Sequence, residues 1–564
     1  PTFANAIYSI SKRRLWRCQR YIGELKLISQ ITMLLRPLLL LTFLSAFFLS
    51  LSAQVSGVIT DSKGEALPFA SIYIRGTSTG TTSNIQGEYF LELTPGTYEL
   101  VFQYVGYKQR IESIVIGVEP LRLNMVLLEE TIDLNEVVVK ADAEDPAYEV
   151  IRKAIAKRKY YRDQVEAYSC NVYIKGNMKF LDAPEKFLGQ EIGTMGGSLD
   201  SNRQGIIYLS ESQAKLYFQE PNHFKEEMIY SKVSGNDRGF GFNRASDMDF
   251  NLYRNYALLG RQIISPIAAN ALQYYRYKLR GTLYDEEGRL INKIELIPKR
   301  SEDPVYQGYI YIVEDLWNIQ SVDLMLSSGA MKQPGLDSLY IRQVHVPVQE
   351  PDVWRIFSQT IRFRAGLFGF RLAGDFTGIY GDYELNQAFE HRFFALEVFR
   401  VNEGANEKDQ LFWDSIRPIP LTLEEKIDYV RKDSLQLIRE TKEYKDSVDR
   451  RSNRFTPLNL VFGYAYSNSY KRKYITMGSP VSTIQYNTVQ GFNGDLQFNF
   501  RKEFDEYNMR WLEIAPRLSY GLADKRLRAR AGFTYRFNRT NRATLNIEGG
   551  IDAFQFNPEN PITK

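Results

Sequence analysis

The sequence predicts a mainly β protein: an N-terminal β-sandwich, a central β-rich domain with helices, and the first strands of a C-terminal β-barrel. Three observations carry that reading. Short strands that alternate apolar and polar residues recur between turn residues through 54–130. From Asn459 the alternation lengthens to strands of ~10 residues, the length that crosses a bilayer. Aromatic residues are abundant and uneven, with 37 Tyr and 34 Phe against 5 Trp, as strand surfaces and barrel girdles favour. A chain of 564 residues also exceeds what one core can organise, so several domains are expected.

The N-terminal part carries a leader. Met33–Gln54 reads MLLRPLLLLTFLSAFFLSLSAQ, with basic Arg36, a charge-free run of 14 residues from Leu38 to Leu51, and small Ser52-Ala53. That is the pattern of a secretory signal peptide, with a mature chain expected from about Gln54. A transmembrane helix is the competing reading, but the run falls short of the ~20 apolar residues a span needs. Residues 1–32 are expected to be an upstream extension outside the folded protein. Without residues 1–53 the net charge changes from +4 to −2, with 64 basic against 66 acidic residues. The apparent basicity therefore argues for no nucleic-acid partner. Of the two cysteines, Cys18 and Cys170, only Cys170 remains, so neither an internal disulfide nor a cysteine zinc site is expected.

Within 54–130, Val55, Gly57 and Ile59 alternate with Ser56, Val58 and Thr60, and the turn Asp61-Ser62-Lys63-Gly64 follows. Ala70, Ile72 and Ile74 repeat the pattern, and Pro95-Gly96 separates two further strands. Gly57, Asp61, Gly64, Leu67-Pro68, Asn84, Gly87, Gly96-Thr97-Tyr98 and Gly106-Tyr107 stand at a specific spacing. On those residues the segment resembles the carboxypeptidase regulatory-like domain. The resemblance implies a transthyretin-like sandwich of roughly seven strands and no peptidase activity of its own.

Glu136-Val137-Val138-Val139 comes next, within a linker over 131–146. It is similar to the TonB-box-like stretch of receptors that carry the same sandwich, and an extended apolar strand can pair with the sheet edge of an energising partner. The other reading is a last strand before the linker. No glycine-rich plug follows, which departs from the receptor pattern.

Asp145-Pro146 then starts a helix, with Asp as N-cap, Pro in the first turn, and Ala147, Val150, Ile151, Ala154 and Ile155 along its apolar face. Alternation resumes from Tyr168, Cys170, Val172 and Ile174, and the β-rich domain is expected over 147–404. A helical connector over 405–454 follows. Thr422-Leu423-Glu424-Glu425 is a capping box, with Leu423, Ile427, Val430, Leu437 and Tyr444 at helical spacing after it.

In the last segment, 455–564, Leu527, Ala529, Ala531, Phe533 and Tyr535 share one face of a strand, and Arg526, Arg528, Arg530 and Arg536 share the other. In an outer-membrane barrel the apolar face meets lipid and the arginines line the lumen. A soluble antiparallel sheet with one wet face is the alternative. The segments 145–158, 208–235, 264–281, 291–300 and 416–435 resemble a family of outer-membrane proteins of unknown function that pairs with this sandwich. Four to six barrel strands are expected, fewer than the eight a barrel needs, so the barrel reads as incomplete at the C-terminus.

The chemistry of a site is sparse. His223-Phe224-Lys225-Glu226 is an H-x-x-E, and His345 stands 119 residues after Glu226, a spacing that invites a zinc carboxypeptidase reading. A two-residue motif is common by chance, and His345 lies in an ordinary strand pattern. His391 has only Glu390 beside it. There is no G-x-S-x-G, P-loop or dinucleotide fingerprint. Cys170 reads as a buried thiol, and Asp285-Glu286-Glu287 as a solvated turn. No catalytic, cofactor or metal site is expected. The leading expectation is a non-enzymatic outer-membrane protein in envelope transport or assembly. It would have membrane lipids and an energising or assembly partner in the periplasm. A barrel-anchored glycan- or peptide-binding module is the second reading, and a zinc peptidase the remote one.

Overall fold

The alternation of the first segment closes into two packed sheets. In a computed structural model, residues 53–552 are described except 118, 130–143, 188–189, 196, 236–243, 249, 259–260, 286, 350–351, 391, 396–397, 488–489, 506–508 and 539–541. The leader up to Ser52, the stretch Glu136–Val139 and His391 therefore lie outside the described residues. Eight strands form the sandwich: β1 (Ala53–Thr60), β2 (Ser71–Ile74), β3 (Gly80–Thr82), β4 (Glu88–Leu93), β5 (Gly96–Gln103), β6 (Arg110–Ile116), β7 (Leu121–Arg122) and β8 (Met125–Val126). One sheet runs β4-β1-β7 with β8 also on β1, and the other β3-β2-β5-β6. Val55, Ile59, Ile72, Tyr89, Leu100 and Phe102 meet between them, as period-two burial requires.

Gly57 is needed for closeness. A Cβ there would lie 1.9 Å from the Leu123 carbonyl oxygen and 3.0 Å from the Tyr89 ring. Gly57→Ala should therefore destabilise the protein by about 1–3 kcal/mol, the range for overpacking. Urea denaturation followed by tyrosine fluorescence would read it, and an unchanged midpoint would mean that the link between β7 and β8 that carries Leu123 yields freely.

The central domain is an eleven-stranded sheet. Its strands are β9 (Ala167–Asp182), β10 (Gly205–Gln219), β11 (His223–Val233), β12 (Tyr275–Tyr284), β13 (Leu290–Pro298), β14 (Gln307–Val313), β15 (Ile319–Ser327), β16 (Leu336–Gln349), β17 (Val353–Leu367), β18 (Phe370–Leu385) and β19 (Phe399–Val401). The order is β12-β13-β14-β15-β16-β17-β18-β9-β10-β11-β19, antiparallel until the last pair. Helix α1 (Ala147–Asp163) covers one face at the β12 end through Ala147, Val150, Ile151 and Ala154. It begins one residue later than expected, yet the Asp145 carboxylate still accepts from the Ala147 amide at 3.0 Å. Cys170 is buried on this same face among Val172, Ile174, Leu216 and Tyr380. The Asp285 turn is not a solvated cluster. Asp285 is buried and accepts from the Arg289 amide and guanidinium, while Glu287 pairs with Arg75 of the sandwich at 3.2 Å.

The opposite face carries the sandwich and the connector. Ser71 and Ser358 share a hydrogen bond of 2.9 Å, and the Tyr73 and Phe357 rings sit 5.2 Å apart. A single cluster takes Tyr73 and Val101 from the sandwich, Tyr173, Val346 and Phe357 from the sheet, and Trp413 and Ile419 from the connector. Three sequence segments thus share one core. The connector consists of α2 (Gln410–Ile416), α3 (Leu423–Glu440) and α4 (Lys442–Ser452). Thr422 and Glu425 form the capping box the sequence predicts.

A separate antiparallel sheet follows: β20 (Tyr464–Asn468), β21 (Lys473–Met477), β22 (Gln485–Asn487), β23 (Gly491–Glu503), β24 (Trp511–Gly521), β25 (Leu527–Arg536) and β26 (Thr544–Gly550). Its order is β20-β21-β23-β24-β25-β26, with β22 beside β23. That is seven described strands where four to six were expected. No helix among the described residues is long and apolar enough to cross a membrane.

Candidate functional site: a two-faced sheet and its anchored connector

Register decides what each face of the last sheet presents. Arg517 stands opposite Arg530, Ser519 opposite Arg528, and Trp511 opposite Arg536. The polar face therefore runs continuously across Gln497, Asn499, Arg517, Arg530 and Glu548. Two arginines directly opposed would repel. Acids from flanking positions relieve this: Arg530 pairs with Glu548 at 2.9 Å and Asp552 at 3.6 Å, and Arg517 with Asp495 and, at 3.8 Å, the same Asp552. A concavity of about 430 Å³ opens on this face. Arg528 pairs with Asp524, and the Arg536 guanidinium lies over the Trp511 ring. Arg526 lies in the turn ahead of β25, its amide donating to Asp524 at 3.3 Å, so three of the four arginines singled out from sequence fall on the strand.

The other face is apolar and uncovered. Ile514, Leu518, Leu527, Leu545 and Ile547 are all exposed, Leu527 by 69%. Soluble antiparallel sheets bury their apolar face and wet the polar one. Here the polar face carries the ion pairs and the apolar face meets the outside.

The connector is fixed to the central sheet by buried charge. Lys175, Glu211 and Lys232 stand side by side across β9, β10 and β11. Each meets a partner from the connector. Lys175 Nζ donates to Glu425 at 2.6 Å. Arg417 Nε and Nη2 donate to the two Glu211 oxygens at 2.5 and 2.9 Å, and the Tyr173 and Tyr429 hydroxyls donate to them at 2.6 and 3.0 Å. Lys232 lies over the Tyr429 ring. Glu211 is fully buried. Burial alone would raise its pKa, but the Arg417 charge and these hydrogen bonds outweigh it and hold the carboxyl below its usual value. The sign follows: a depressed carboxyl pKa contributes stability that is present above the unfolded value and lost as pH falls through the folded one. Acidification below the normal glutamate range should therefore loosen the connector. Limited proteolysis across 405–440 at descending pH would read this, and Glu211→Gln should flatten that part of the profile. An identical profile in the variant would assign the acid sensitivity elsewhere.

The H-x-x-E residues are not brought together. His223 is exposed at the start of β11, and Glu226 is buried, accepting from the Ala245 and Ser246 amides at 2.9 and 3.1 Å. Positions three apart in a strand point to opposite faces. His345 lies on β16 against a cavity of about 80 Å³ that Trp354, Arg355 and Tyr383 also line. Burial, then the Arg355 charge, lowers its pKa to about 4. Among the described residues no group of three His, Cys, Asp or Glu could hold a metal. Sequence reasoning missed the Glu211 node. Its trace was there: Glu211 and Lys232 lie in the segment 208–235, and Arg417, Glu425 and Tyr429 in 416–435, two of the segments that carry the family resemblance.

Comparison with known proteins agrees with this layout. A family of unknown function, DUF5686, matches residues 150–383, and its C-terminal domain matches 458–564. The chain belongs to DUF5686. A CarboxypepD_reg-like domain, over residues 55–139, precedes it. The connector of this DUF5686 protein falls between the two matched ranges. Two TonB-dependent receptors of Formosa agariphila, P3 and P39, are each 32% identical to it over 100 and 116 residues. The SusC receptor of Bacteroides thetaiotaomicron is 30% identical over 105 residues. These stretches make up 18–20% of the chain and only 10–11% of each receptor. Among solved structures, a DUF1329 family protein of Desulfovibrio piger aligns over 45% of the chain and 98% of its own, at 10% identity and a TM-score of 0.21. A putative outer membrane lipoprotein-sorting protein domain of Vibrio parahaemolyticus aligns over 44% and 97%, at 10% identity and 0.20. These superpositions are too poor to define a shared fold.

Proposed function

We propose that this DUF5686 protein is a non-enzymatic outer-membrane β-barrel protein that acts in envelope transport or assembly. The sandwich, central sheet and connector form its periplasmic body. One observation carries the reading: β20–β26 form a sheet with one continuous ion-paired face and, on the other side, an apolar face whose large side chains are exposed. Strands of 10 to 13 residues in β23–β25 suit the ~9–11 residues a tilted strand needs to span a bilayer. Closure of the sheet is part of the proposal, because an open edge in hydrocarbon leaves backbone groups unpaired. The likeness of a fifth or less of the chain to part of TonB-dependent receptors supports an envelope location. On this reading Arg528, Arg530 and Arg536 face the lumen, lipids are the first partner, and Glu136–Val139 serves an energising or assembly partner. The pleat that separates His223 from Glu226 supports a role without peptidase chemistry.

The test is fractionation of the full-length gene product in its own host. It should band with the outer membrane, resist alkaline extraction, and migrate faster in unheated than in heated gels. Recovery in the soluble periplasmic fraction, with no heat-dependent mobility, would overturn the proposal.

A further inference from the structure

Helix α3 is amphipathic with its faces reversed relative to a core helix. Glu425, Asp428, Tyr429 and Lys432 are its buried positions. They pin it to the sheet through Lys175, Ser234, Glu211 and the Ile206 carbonyl. On the opposite side Leu423, Ile427, Val430, Leu437 and Ile438 form one stripe, and Leu423, Val430 and Leu437 are 68, 70 and 71% exposed. A stripe of five large aliphatic side chains left in water is costly, at roughly 25 cal/mol per Å². The fold thus uses the polar side as its anchor and holds the apolar side outward.

Three further observations say what covers that stripe. The first is position. Asp449 of α4 accepts from the Ser469 amide and hydroxyl, both at 2.7 Å, which ties the connector to the β20–β21 turn. The second is what else lies at that end of the last sheet. Lys473 pairs with Lys502, Glu503 with Trp511, and Trp511 with Arg536 in register. Phe504, Tyr535 and Phe537 cluster there, with ring centroids 6.1 and 6.0 Å apart along the chain of contacts. Such an aromatic row marks the bilayer interface on a membrane barrel. The third is charge. Arg450, Arg451 and Arg454 are exposed just before Phe455, and Leu458 and Phe462 are exposed beyond it. Cations beside exposed apolar residues match an anionic headgroup layer over an acyl layer.

We infer that the α3–α4 connector is an interfacial membrane anchor. Its apolar stripe lies in the headgroup–acyl boundary of the leaflet beside the barrel base, and its polar face carries the sandwich and central sheet. The inference rests on the barrel reading proposed above. It adds a second membrane contact, which would hold the periplasmic body at a set orientation to the bilayer.

The test uses the full-length mature protein, reconstituted in vesicles of phosphatidylethanolamine and phosphatidylglycerol. The buried Cys170 stays unlabelled. An environment-sensitive fluorophore is placed by Val430→Cys on the stripe, Ile547→Cys on the exposed sheet face, or Val115→Cys on the sandwich. The Val430→Cys label should shift to the blue, and a shallow lipid nitroxide should quench it at least about twofold more than a deep one, as befits a depth of ~5–10 Å. The Val115→Cys label should stay in water. A Val430→Cys label that is unshifted, or shielded yet unquenched by lipid because protein covers it, would overturn the anchor. If the Ile547→Cys label is then quenched by the deep nitroxide, the barrel reading survives and the anchor alone falls. If neither label is quenched, both fall. Quenching at Val430→Cys without quenching at Ile547→Cys would keep the membrane contact of the connector and remove the barrel.

Discussion

Arg417→Met should detach the connector from the central sheet and cost about 3–5 kcal/mol, the range for breaking a buried ion pair by removing one partner. Arg417 and Glu211 side chains are 6% and 0% exposed, so solvent cannot take over the role of the lost guanidinium. The variant leaves a buried carboxylate facing Tyr173 and Tyr429 hydroxyls and no cation at bonding distance from its oxygens. Two readouts are expected to move together: a lower urea midpoint, and faster protease cleavage across 405–440. The physical cause can be separated from lost packing. In Arg417→Met/Glu211→Gln the uncompensated charge is gone, while an amide oxygen still accepts from a tyrosine. That double variant should recover a good part of the loss. A double variant as unstable as the single one would show that guanidinium packing, rather than unpaired charge, sets the cost.

Ala531→Arg should block assembly of the full-length protein, and Arg530→Ala should not. Ala531 is exposed on the apolar face between Pro516 and Gly549, while Arg530 is its neighbour on the polar face. An arginine presented to lipid near mid-bilayer costs ~2–4 kcal/mol, and changes inside a lumen are milder. Removing Arg530 frees Glu548, which is half exposed, and leaves Asp552 within 3.8 Å of Arg517. The heat-resistant, membrane-bound fraction of each variant would decide. Equal tolerance of both, with the protein soluble, would make β20–β26 a soluble sheet.

Both predictions rest on features that differ in how far they were legible beforehand. A strand turns every second side chain to one side, so the residues that share a face on β1, β9 and β25 can be read by counting. The capping box at Thr422 and Glu425 is equally local: donor and acceptor are three residues apart, and the helix start follows. The glycine at 57 was legible as a mark of a sandwich, although not as the place where the Leu123 carbonyl passes.

Tertiary structure alone decided the rest. Counting at helical spacing finds the stripe of Leu423, Ile427, Val430 and Leu437, but spacing is the same whether a stripe faces a core or the outside. The docked side was settled by Lys175, Glu211 and Lys232, which three neighbouring strands set in a row, and by Arg417, which lies 206 residues from its partner Glu211. No periodicity links positions so far apart; only the strand order brings them to one spot. The same holds for the last sheet. The sequence by itself determined that it has an apolar and a charged face. Only the register showed that Arg517 and Arg530 meet Asp495 and Glu548 on neighbouring strands, while the large side chains of the apolar face stay exposed.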